Sequence, residues 1–177
     1  MTVTSAKGFR ASGVRAGIKA SGNPDLALVV NDGPLDVVAG LFTSNRFKAA
    51  PVVWTQQIVG DGQARAVVLN SGGANACTGP DGFADTHATA EYVAKALVVA
   101  GVDVGAGDVA VCSTGLIGER LPMTKLLVGV DTAIAALSDG GGPDAATAIM
   151  TTDSVPKTAT VTVDGFTVGE CERQWLS

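Results

Sequence analysis

Short apolar runs that stop at glycine-containing turns are the sequence feature that most limits the fold. A run of four or five apolar residues suits one buried strand and is too short for a typical helix. The asparagine, serine and glycine residues that follow favour tight turns, because they tolerate the backbone angles that turns require. These runs lie at residues 26–30, 66–69 and 109–112. They predict three buried strands.

Two longer segments have the periodicity of helices. Within residues 83–100, apolar residues recur at spacings of three and four, as on the buried face of a helix. Residues 121–137 predict a second helix, in which Pro122 is acceptable because it falls in the first turn. A third, short helix is predicted from Asp144 to Met150.

Further strands are predicted from turn signals and short apolar runs, and the whole pattern then indicates the fold class. Residues 158–163 and 166–168 flank an Asp-Gly pair, which is a strong hairpin signal. Residues 37–43 are predicted to pair with the strand at 26–30, and residues 51–54 to form another short strand. Strands and helices mix without strict alternation. The pattern therefore predicts an α/β class fold, a layered sandwich of mixed sheet and helices rather than a doubly wound sheet.

Composition narrows the class of protein. The 177 residues are 46% hydrophobic and 16% charged, which suits one sizeable folded domain and makes disorder implausible. Only 5% are aromatic, so the core must be built from small and branched side chains. The net charge of −5 argues against a nucleic-acid-binding protein. No apolar run reaches the length of about 18 residues that a membrane span needs, so we expect no membrane association.

Cysteine and histidine usage points to a reducing compartment and to no metal site. The three cysteines are sparse and show no Cys-x-x-Cys spacing, which indicates reduced thiols and a cytoplasmic protein. The single histidine, His87, cannot assemble a histidine-rich metal site. It lies in a predicted helix and is interpreted as a surface or core residue. Cys112 is interpreted as a buried, unreactive thiol, while Cys77 lies in a loop without a neighbouring base.

Three loops carry candidate chemistry. In residues 113–118, a hydroxyl beside exposed amides would suit an oxyanion hole, although the glycines there could serve chain reversal alone. In residues 70–79, the asparagines could orient a ligand or satisfy their own backbone. The loop lacks the Gly-Lys-Ser/Thr ending of a phosphate-binding loop. Residues 148–153 end with two hydroxyls and a carboxylate, which could bind a polar group or cap a turn.

The order of these motifs resembles a known family. Taken together, they are similar to the bifunctional ornithine acetyltransferase / N-acetylglutamate synthase (glutamate N-acetyltransferase) family of arginine biosynthesis. The resemblance extends from Gly8 to Gly169, so residues 1–169 are expected to form an α-chain domain with the family's N-terminal-nucleophile-like fold. The segments that carry it are residues 8–14, 39–45, 69–79, 112–123 and 148–153.

The resemblance implies a reaction and a partner chain. Family members are made as one precursor that cleaves itself before a threonine, and this threonine of the β chain becomes the nucleophile. It takes the acetyl group from N-acetylornithine as an acyl-enzyme and passes it to glutamate without a cofactor, and some members also accept acetyl-CoA. The α and β chains remain together as an α2β2 heterotetramer. The family's oxyanion residues fall on Thr114 and Gly115, and its substrate-contacting threonine on Thr151, with Thr152 as the adjacent alternative.

Residues 170–177 depart from the family pattern. The family's substrate-binding lysine and cleavage-site threonine would follow Gly169, and this chain carries neither, so we expect it to be inactive without a β chain. Two alternatives to the acetyltransferase remain at this point. One is a related self-cleaving aminopeptidase, which uses the same type of nucleophile, and the other is a non-catalytic fragment or interaction module.

Overall fold

A four-stranded sheet occupies the centre of the fold in the computed structural model, which describes residues 2–173. Its strand order is β1-β2-β3-β4, and only the last pair, β3 with β4, is parallel. All three predicted buried strands are confirmed, whereas β1 was not predicted. The strands are β1 (Phe9–Val14), β2 (Leu26–Asn31), β3 (Ala66–Asn70) and β4 (Val109–Ser113).

Four α-helices and a separate hairpin complete the described chain. The three predicted helices and the predicted hairpin are confirmed, with shifts of a few residues at their ends. Strand β6 continues through residues 170–172, which begin the segment 170–177 that departs from the family pattern. Residues 174–177 of that segment lie outside the described residues. The helices are α1 (Ala50–Ile58), α2 (Gly79–Val99), α3 (Met123–Ala135) and α4 (Gly142–Ala148), the hairpin strands are β5 (Lys157–Val163) and β6 (Phe166–Glu172), and short 3-10 turns lie at Val3–Ser5, Val59–Asp61 and Ala106–Asp108.

The alternation of side chains along β2 divides the molecule into layers. Leu26, Leu28 and Val30 point to one face, where they pack against α3 and share the main core with buried residues of α1 and α2. Each of these fully buried side chains stabilises the fold by about 1.5–3 kcal/mol relative to an exposed one. The intervening Ala27 points to the opposite face, toward α4. The expected layered sandwich of mixed sheet and helices is confirmed.

The second face is packed with small side chains, which lets α4 approach the sheet very closely. Ala27 meets alanines of β1 and α4 there. A Cβ atom added to Gly13 of β1 would lie 1.9 Å from the Asp144 carbonyl oxygen, so only glycine fits at this position. The hairpin β5–β6 packs beside α4, against the turn at Val3–Ser5. This close packing explains how a chain with few aromatic residues forms a dense interior.

Two strand predictions are wrong, for a tertiary reason. Residues 37–43 are irregular, with one isolated bridge from Val37 to Gln63, because both edges of β2 are already occupied by β1 and β3. Residues 51–54 form part of helix α1. Thr55 of this helix donates to the Val111 carbonyl at 2.7 Å and accepts from the Val111 N–H at 3.0 Å, so α1 covers the outer edge of β4.

No helix between residues 2 and 173 is both long and apolar enough to cross a membrane.

Candidate active site

The parallel pairing of β3 and β4 brings two glycine-containing loops together at one edge of the sheet. Asn70 ends β3 directly opposite Ser113, which ends β4. Beyond this point the chain continues as loop 70–79 and turn 113–118, and backbone hydrogen bonds join the two. The Thr114 N–H donates to the Asn70 carbonyl at 3.0 Å, and the Ala74 N–H donates to the Leu116 carbonyl at 2.9 Å. The two candidate loops therefore form one unit.

Gly115 is required where the turn touches the loop. Its φ is +130°, in the region that favours glycine. A Cβ atom at this position would lie 2.8 Å from the Gly73 nitrogen and 2.9 Å from the Gly72 carbonyl carbon. Both contacts are with backbone atoms, which cannot rotate away as a side chain would. Any larger residue must therefore push turn 113–118 away from loop 70–79.

Two hydrogen-bond donors on this turn remain available. The Gly115 N–H and the Thr114 hydroxyl make no hydrogen bond with any of residues 2–173. The N–H groups of Gly72 and Gly73, in contrast, both donate to the Asn70 side chain. Gly115 is exposed and Thr114 is partly buried, so the turn that carries both donors lies at the surface. The available pair is the pair to which the sequence resemblance assigns the oxyanion role.

The asparagine side chains of loop 70–79 form hydrogen bonds within the protein. Asn70 is 3% exposed, and its Nδ2 donates to Ser113 Oγ at 2.6 Å. Asn75 is fully buried and donates to the Gly82 carbonyl at 2.7 Å and to Thr86 Oγ1 at 2.9 Å. The bonds of Asn70 to the Gly72 and Gly73 N–H groups fit the interpretation that the asparagines satisfy their own backbone, whereas Asn75 binds residues of α2 instead. Asn75 thereby holds the end of the loop on the first turns of α2.

Segment 148–153 reaches the same edge of the sheet. Ser71 Oγ of the loop donates to the Ala148 carbonyl at 2.5 Å, and both atoms are buried. The Thr151 N–H donates to Asp153 Oδ2 at 3.1 Å, while Lys157 Nζ contacts Asp153 Oδ1 at 2.7 Å. The Asp153 side chain is fully buried, and its bond to the Thr151 N–H closes a turn in which Thr151 is partly exposed. The hydroxyl of Thr151 makes no hydrogen bond with any residue from 2 to 173.

Asp25 and Lys19 connect these parts, and the sequence analysis missed both. The fully buried carboxylate of Asp25 accepts the Ile18 N–H at 2.6 Å and the Lys19 N–H at 2.8 Å. Its carbonyl accepts the Ser71 N–H at 2.9 Å. Lys19 Nζ donates to the Met150 carbonyl at 2.7 Å. The signal in the sequence is slight: an aspartate directly before an apolar run.

Burial dominates the electrostatics of this cluster. It lowers the pKa of Lys19, although the carboxylates of Asp25 and Asp153 oppose that shift. Burial also raises the pKa of the Cys112 thiol, with Arg173 acting in the opposite direction. Burial lowers the pKa of Arg173, and the nearby Cys112 and Asp153 act in the opposite direction. The raised pKa of Cys112 agrees with its interpretation as an unreactive thiol.

An ion pair anchors the chain after turn 113–118. Arg120 binds the Asp85 carboxylate with two hydrogen bonds, of 2.8 Å from Nε and 2.7 Å from Nη2. The hydrogen bond with Asp85 is the main cause of a raised pKa of Arg120. Because Asp85 lies on α2, the turn is held at both of its ends.

The other candidate residues take no part in this unit. His87 is half exposed on α2, where it lies 3.5 Å from Glu91 and stacks on Trp54 with ring centroids 5.0 Å apart. It is a surface residue, as interpreted. Cys77 is exposed and has a positive φ of 58°. Among residues 2–173, no group of three or more histidine, cysteine or acidic side chains is placed to hold a metal ion.

Comparison with known proteins finds one family that matches most of this chain. Residues 10–172 match the sequence profile of the ArgJ family. The arginine biosynthesis bifunctional protein ArgJ of Streptomyces avermitilis is 65% identical over 169 residues, which make up 96% of this chain and 43% of that protein. The chain thus spans less than half of the length of this curated relative.

Two solved structures resemble the fold closely. One is the crystal structure of ornithine acetyltransferase from Mycobacterium tuberculosis in complex with ornithine, with a TM-score of 0.97 and 60% identity over 98% of this chain and 92% of that one. The other is the arginine biosynthesis bifunctional protein of Bacillus halodurans, with a TM-score of 0.85 and 34% identity over 99% of this chain and 91% of that one. Both matches confirm the mixed α/β fold.

Proposed function

This chain belongs to the ArgJ family, as its motifs predicted, and on that premise we propose that it forms the oxyanion-binding half of a glutamate N-acetyltransferase. The reaction moves the acetyl group of N-acetylornithine to glutamate through an acyl-enzyme. The nucleophile is a threonine on a β chain, in the part of the relatives that this chain does not span. The proposed reaction uses no cofactor, and acetyl-CoA is a possible additional acetyl donor.

One observation carries the proposal: the available donor pair formed by Thr114 and Gly115. A tetrahedral intermediate of acyl transfer carries a negative oxygen, which fixed donors stabilise more strongly than the neutral carbonyl that precedes it. Donors that are already bonded within the protein cannot do this. The Gly115 N–H and the Thr114 hydroxyl are unbonded within residues 2–173, and they project from a turn that is held at both ends.

The proposed chemistry proceeds in two balanced steps. The threonine hydroxyl attacks the acetyl carbonyl of N-acetylornithine, and its proton passes through the threonine's own α-amine to the departing amine. The C–N bond then breaks, ornithine leaves and the acetyl ester remains. In the second step the amine of glutamate attacks this ester, and the threonine oxygen leaves with a proton. Each step forms one oxyanion, which Thr114 and Gly115 bind.

Thr151 is the proposed substrate contact of this chain. Its hydroxyl is unbonded within residues 2–173, and Asp153 fixes the backbone that carries it. The related Mycobacterium tuberculosis structure contains ornithine, which supports an amino-acid substrate for this fold. A polar substrate needs donors and acceptors that are not already paired inside the protein. Thr151 meets this condition at the same edge of the sheet as the oxyanion turn.

The proposed β chain covers the oxyanion turn and joins this chain in an α2β2 heterotetramer. Leu116 and Ile117 follow the donor pair, and they are 62% and 70% exposed. Two adjacent exposed aliphatic side chains are unfavourable in water and are typical of a contact surface. Covering them also excludes water from the oxyanion site, which strengthens its hydrogen bonds.

The test is transfer of radiolabelled acetyl from N-acetylornithine to glutamate. This chain is purified alone and together with a second polypeptide that covers the rest of the Streptomyces avermitilis relative from the point where the match to this chain ends. That polypeptide includes the expected substrate-binding lysine and is cleaved before the nucleophilic threonine. We expect transfer by the complex and none by the chain alone. Transfer by the chain alone would contradict the proposal that the nucleophile lies on the β chain. Hydrolysis of small peptides by the complex, without transfer to glutamate, would favour the aminopeptidase instead.

A matched pair of variants tests the donor role in that complex. Thr114→Val keeps the shape of the side chain and removes the hydroxyl, so kcat should fall about 100-fold, as for loss of one oxyanion donor. Thr114→Ser keeps the hydroxyl and should retain most of the activity. Equal kcat values for the two variants would exclude the Thr114 hydroxyl as a donor.

A further inference from the structure

We infer that Asn70 is the residue that positions the Thr114–Gly115 donor pair, an inference that rests on the proposed function. Asn70 lies where β3 and β4 end and regular pairing of the two strands stops. Its side chain and carbonyl together make four hydrogen bonds to the two loops beyond that point. Asn70 therefore connects the two chain segments beyond the ends of β3 and β4, with three side-chain bonds and one carbonyl bond.

The orientation of the Asn70 amide is determined by its partners. Oδ1 accepts two backbone N–H groups, those of Gly72 at 3.3 Å and Gly73 at 3.2 Å. Nδ2 must then face Ser113 Oγ, to which it donates at 2.6 Å. The amide thus offers an acceptor to loop 70–79 and a donor to the end of β4 at the same time, whereas an ionised carboxylate of the same shape has acceptors only.

Asn70 acts through the backbone and does not touch a substrate. The residue is 3% exposed. Together with Ser113, it borders an internal void of about 10 Å³, which is too small for an amino-acid ligand. Its influence on the donor pair follows two routes: its carbonyl binds the Thr114 N–H directly, and its Oδ1 holds Gly73, against which Gly115 packs.

The first experiment measures the position of the turn without using activity. Backbone hydrogen exchange is followed by mass spectrometry in the 177-residue chain and in its Asn70→Ala variant. We expect exchange in residues 71–76 and 113–118 to accelerate about tenfold or more, because the side-chain bonds to Gly72, Gly73 and Ser113 are lost. The Asn70 carbonyl, which accepts the Thr114 N–H, is kept in this variant, so the change reports the side chain alone. The matched control is Ser71→Ala, since Ser71 is the adjacent buried residue but bonds to Ala148. It should leave exchange in residues 113–118 unchanged.

The second experiment uses the complex with the β chain and separates kcat from KM. Asn70→Ala should lower kcat about tenfold to 100-fold and leave KM for N-acetylornithine unchanged, because a displaced donor weakens only the transition state. Asn70→Asp keeps the bonds to Gly72 and Gly73 but places a negative charge beside the developing oxyanion. The ratio of its kcat to that of the wild-type complex should therefore rise as the pH is lowered and the new carboxyl becomes protonated, because protonation of the threonine α-amine affects both complexes alike.

The two experiments separate failure of this inference from failure of the proposed function. Unchanged exchange of residues 113–118 in Asn70→Ala overturns the positioning role, whatever the activity of the complex. An increase in KM with unchanged kcat also overturns it, because that result indicates a binding residue. A wild-type complex without transferase activity overturns the proposed function, while accelerated exchange in Asn70→Ala would still show that Asn70 holds the turn.

Discussion

Replacement of Gly115 by alanine is the most specific test of how the two loops are joined. The new Cβ atom would lie 2.8 Å from the Gly73 nitrogen and 3.0 Å from the Gly73 Cα. In addition, an L-residue at a φ of +130° is strained. Turn 113–118 must therefore move away from loop 70–79. The movement displaces the Gly115 N–H, which is one of the two proposed oxyanion donors.

The structure also supplies the magnitude and a matched control. Gly118 lies in the same turn at a φ of +86°, but a Cβ atom there meets nothing within 4 Å. Gly118→Ala therefore adds backbone strain alone and should cost about 1 kcal/mol. Gly115→Ala adds similar strain and also breaks two loop-to-loop hydrogen bonds, each worth about 1 kcal/mol. We expect it to cost about 3 kcal/mol.

Urea denaturation of the two variants measures this difference. The free energy of unfolding of Gly115→Ala should lie about 2 kcal/mol below that of Gly118→Ala. In the complex with the β chain, Gly115→Ala should also lower kcat about 100-fold or more, whereas Gly118→Ala should have a much smaller effect. Equal stability of the two variants would refute the argument that Gly115 packs against Gly73. Full kcat in Gly115→Ala would refute the donor role of its N–H.

Three further predictions concern the rest of the molecule. Thr55→Val should lower the free energy of unfolding by about 1–3 kcal/mol in urea denaturation, because it leaves the buried N–H and carbonyl of Val111 without partners, while Thr55→Ser should restore most of the loss. Hydrogen bonding to Arg10 lowers the pKa of Asp32, so the pair stabilises the folded state above the unfolded pKa of about 4, and this contribution is lost as the pH falls through the lowered value. Because both side chains are more than one-third exposed, Asp32→Asn should cost less than about 1 kcal/mol at pH 7, and nothing at a pH below both pKa values; an equal cost at both pH values would contradict the assignment. Alkylation of Cys112 by iodoacetamide, followed by peptide mass spectrometry, should be much slower in the folded chain than in the urea-denatured chain, because burial raises the pKa of this thiol; equal rates would show that it is not protected.

The elements that were predicted correctly are those whose local pattern and tertiary environment agree. The run at residues 66–69 is a strand in any setting, because it is short, apolar and followed by turn residues. Residues 51–54 contain two valines and a tryptophan after a proline, which also resembles a strand, yet they lie in helix α1. The deciding interactions are hydrogen bonds from Trp54 and Thr55 to β4, more than 50 residues away. Local propensity carries no information about such partners.

The residues of the candidate site also fall into those that the sequence indicated and those that it missed. Thr114 and Gly115 were proposed from the resemblance to the family, which rests on the order of short motifs along the chain; the turn by itself left chain reversal as an alternative. Asn70 was assigned no definite role, since its partner Ser113 is 43 positions away. Asp25 was missed because its ligands are backbone N–H groups, which every residue except proline possesses. A side chain that binds backbone leaves no recognisable partner in the sequence.

The sequence by itself determined the family, the layered α/β class and the residues proposed to stabilise the oxyanion. These depend on residue types at short spacings, which are visible along one chain. Only the tertiary structure decided which donors are available, because a donor is available when no other group in the fold has bonded it. The parallel alignment of β3 with β4 brings Asn70 to Ser113 and leaves the Gly115 N–H and the Thr114 hydroxyl unbonded within residues 2–173. Hydrogen bonding is a pairing of groups in space, and that pairing is set by the packing of strands that lie far apart in the sequence.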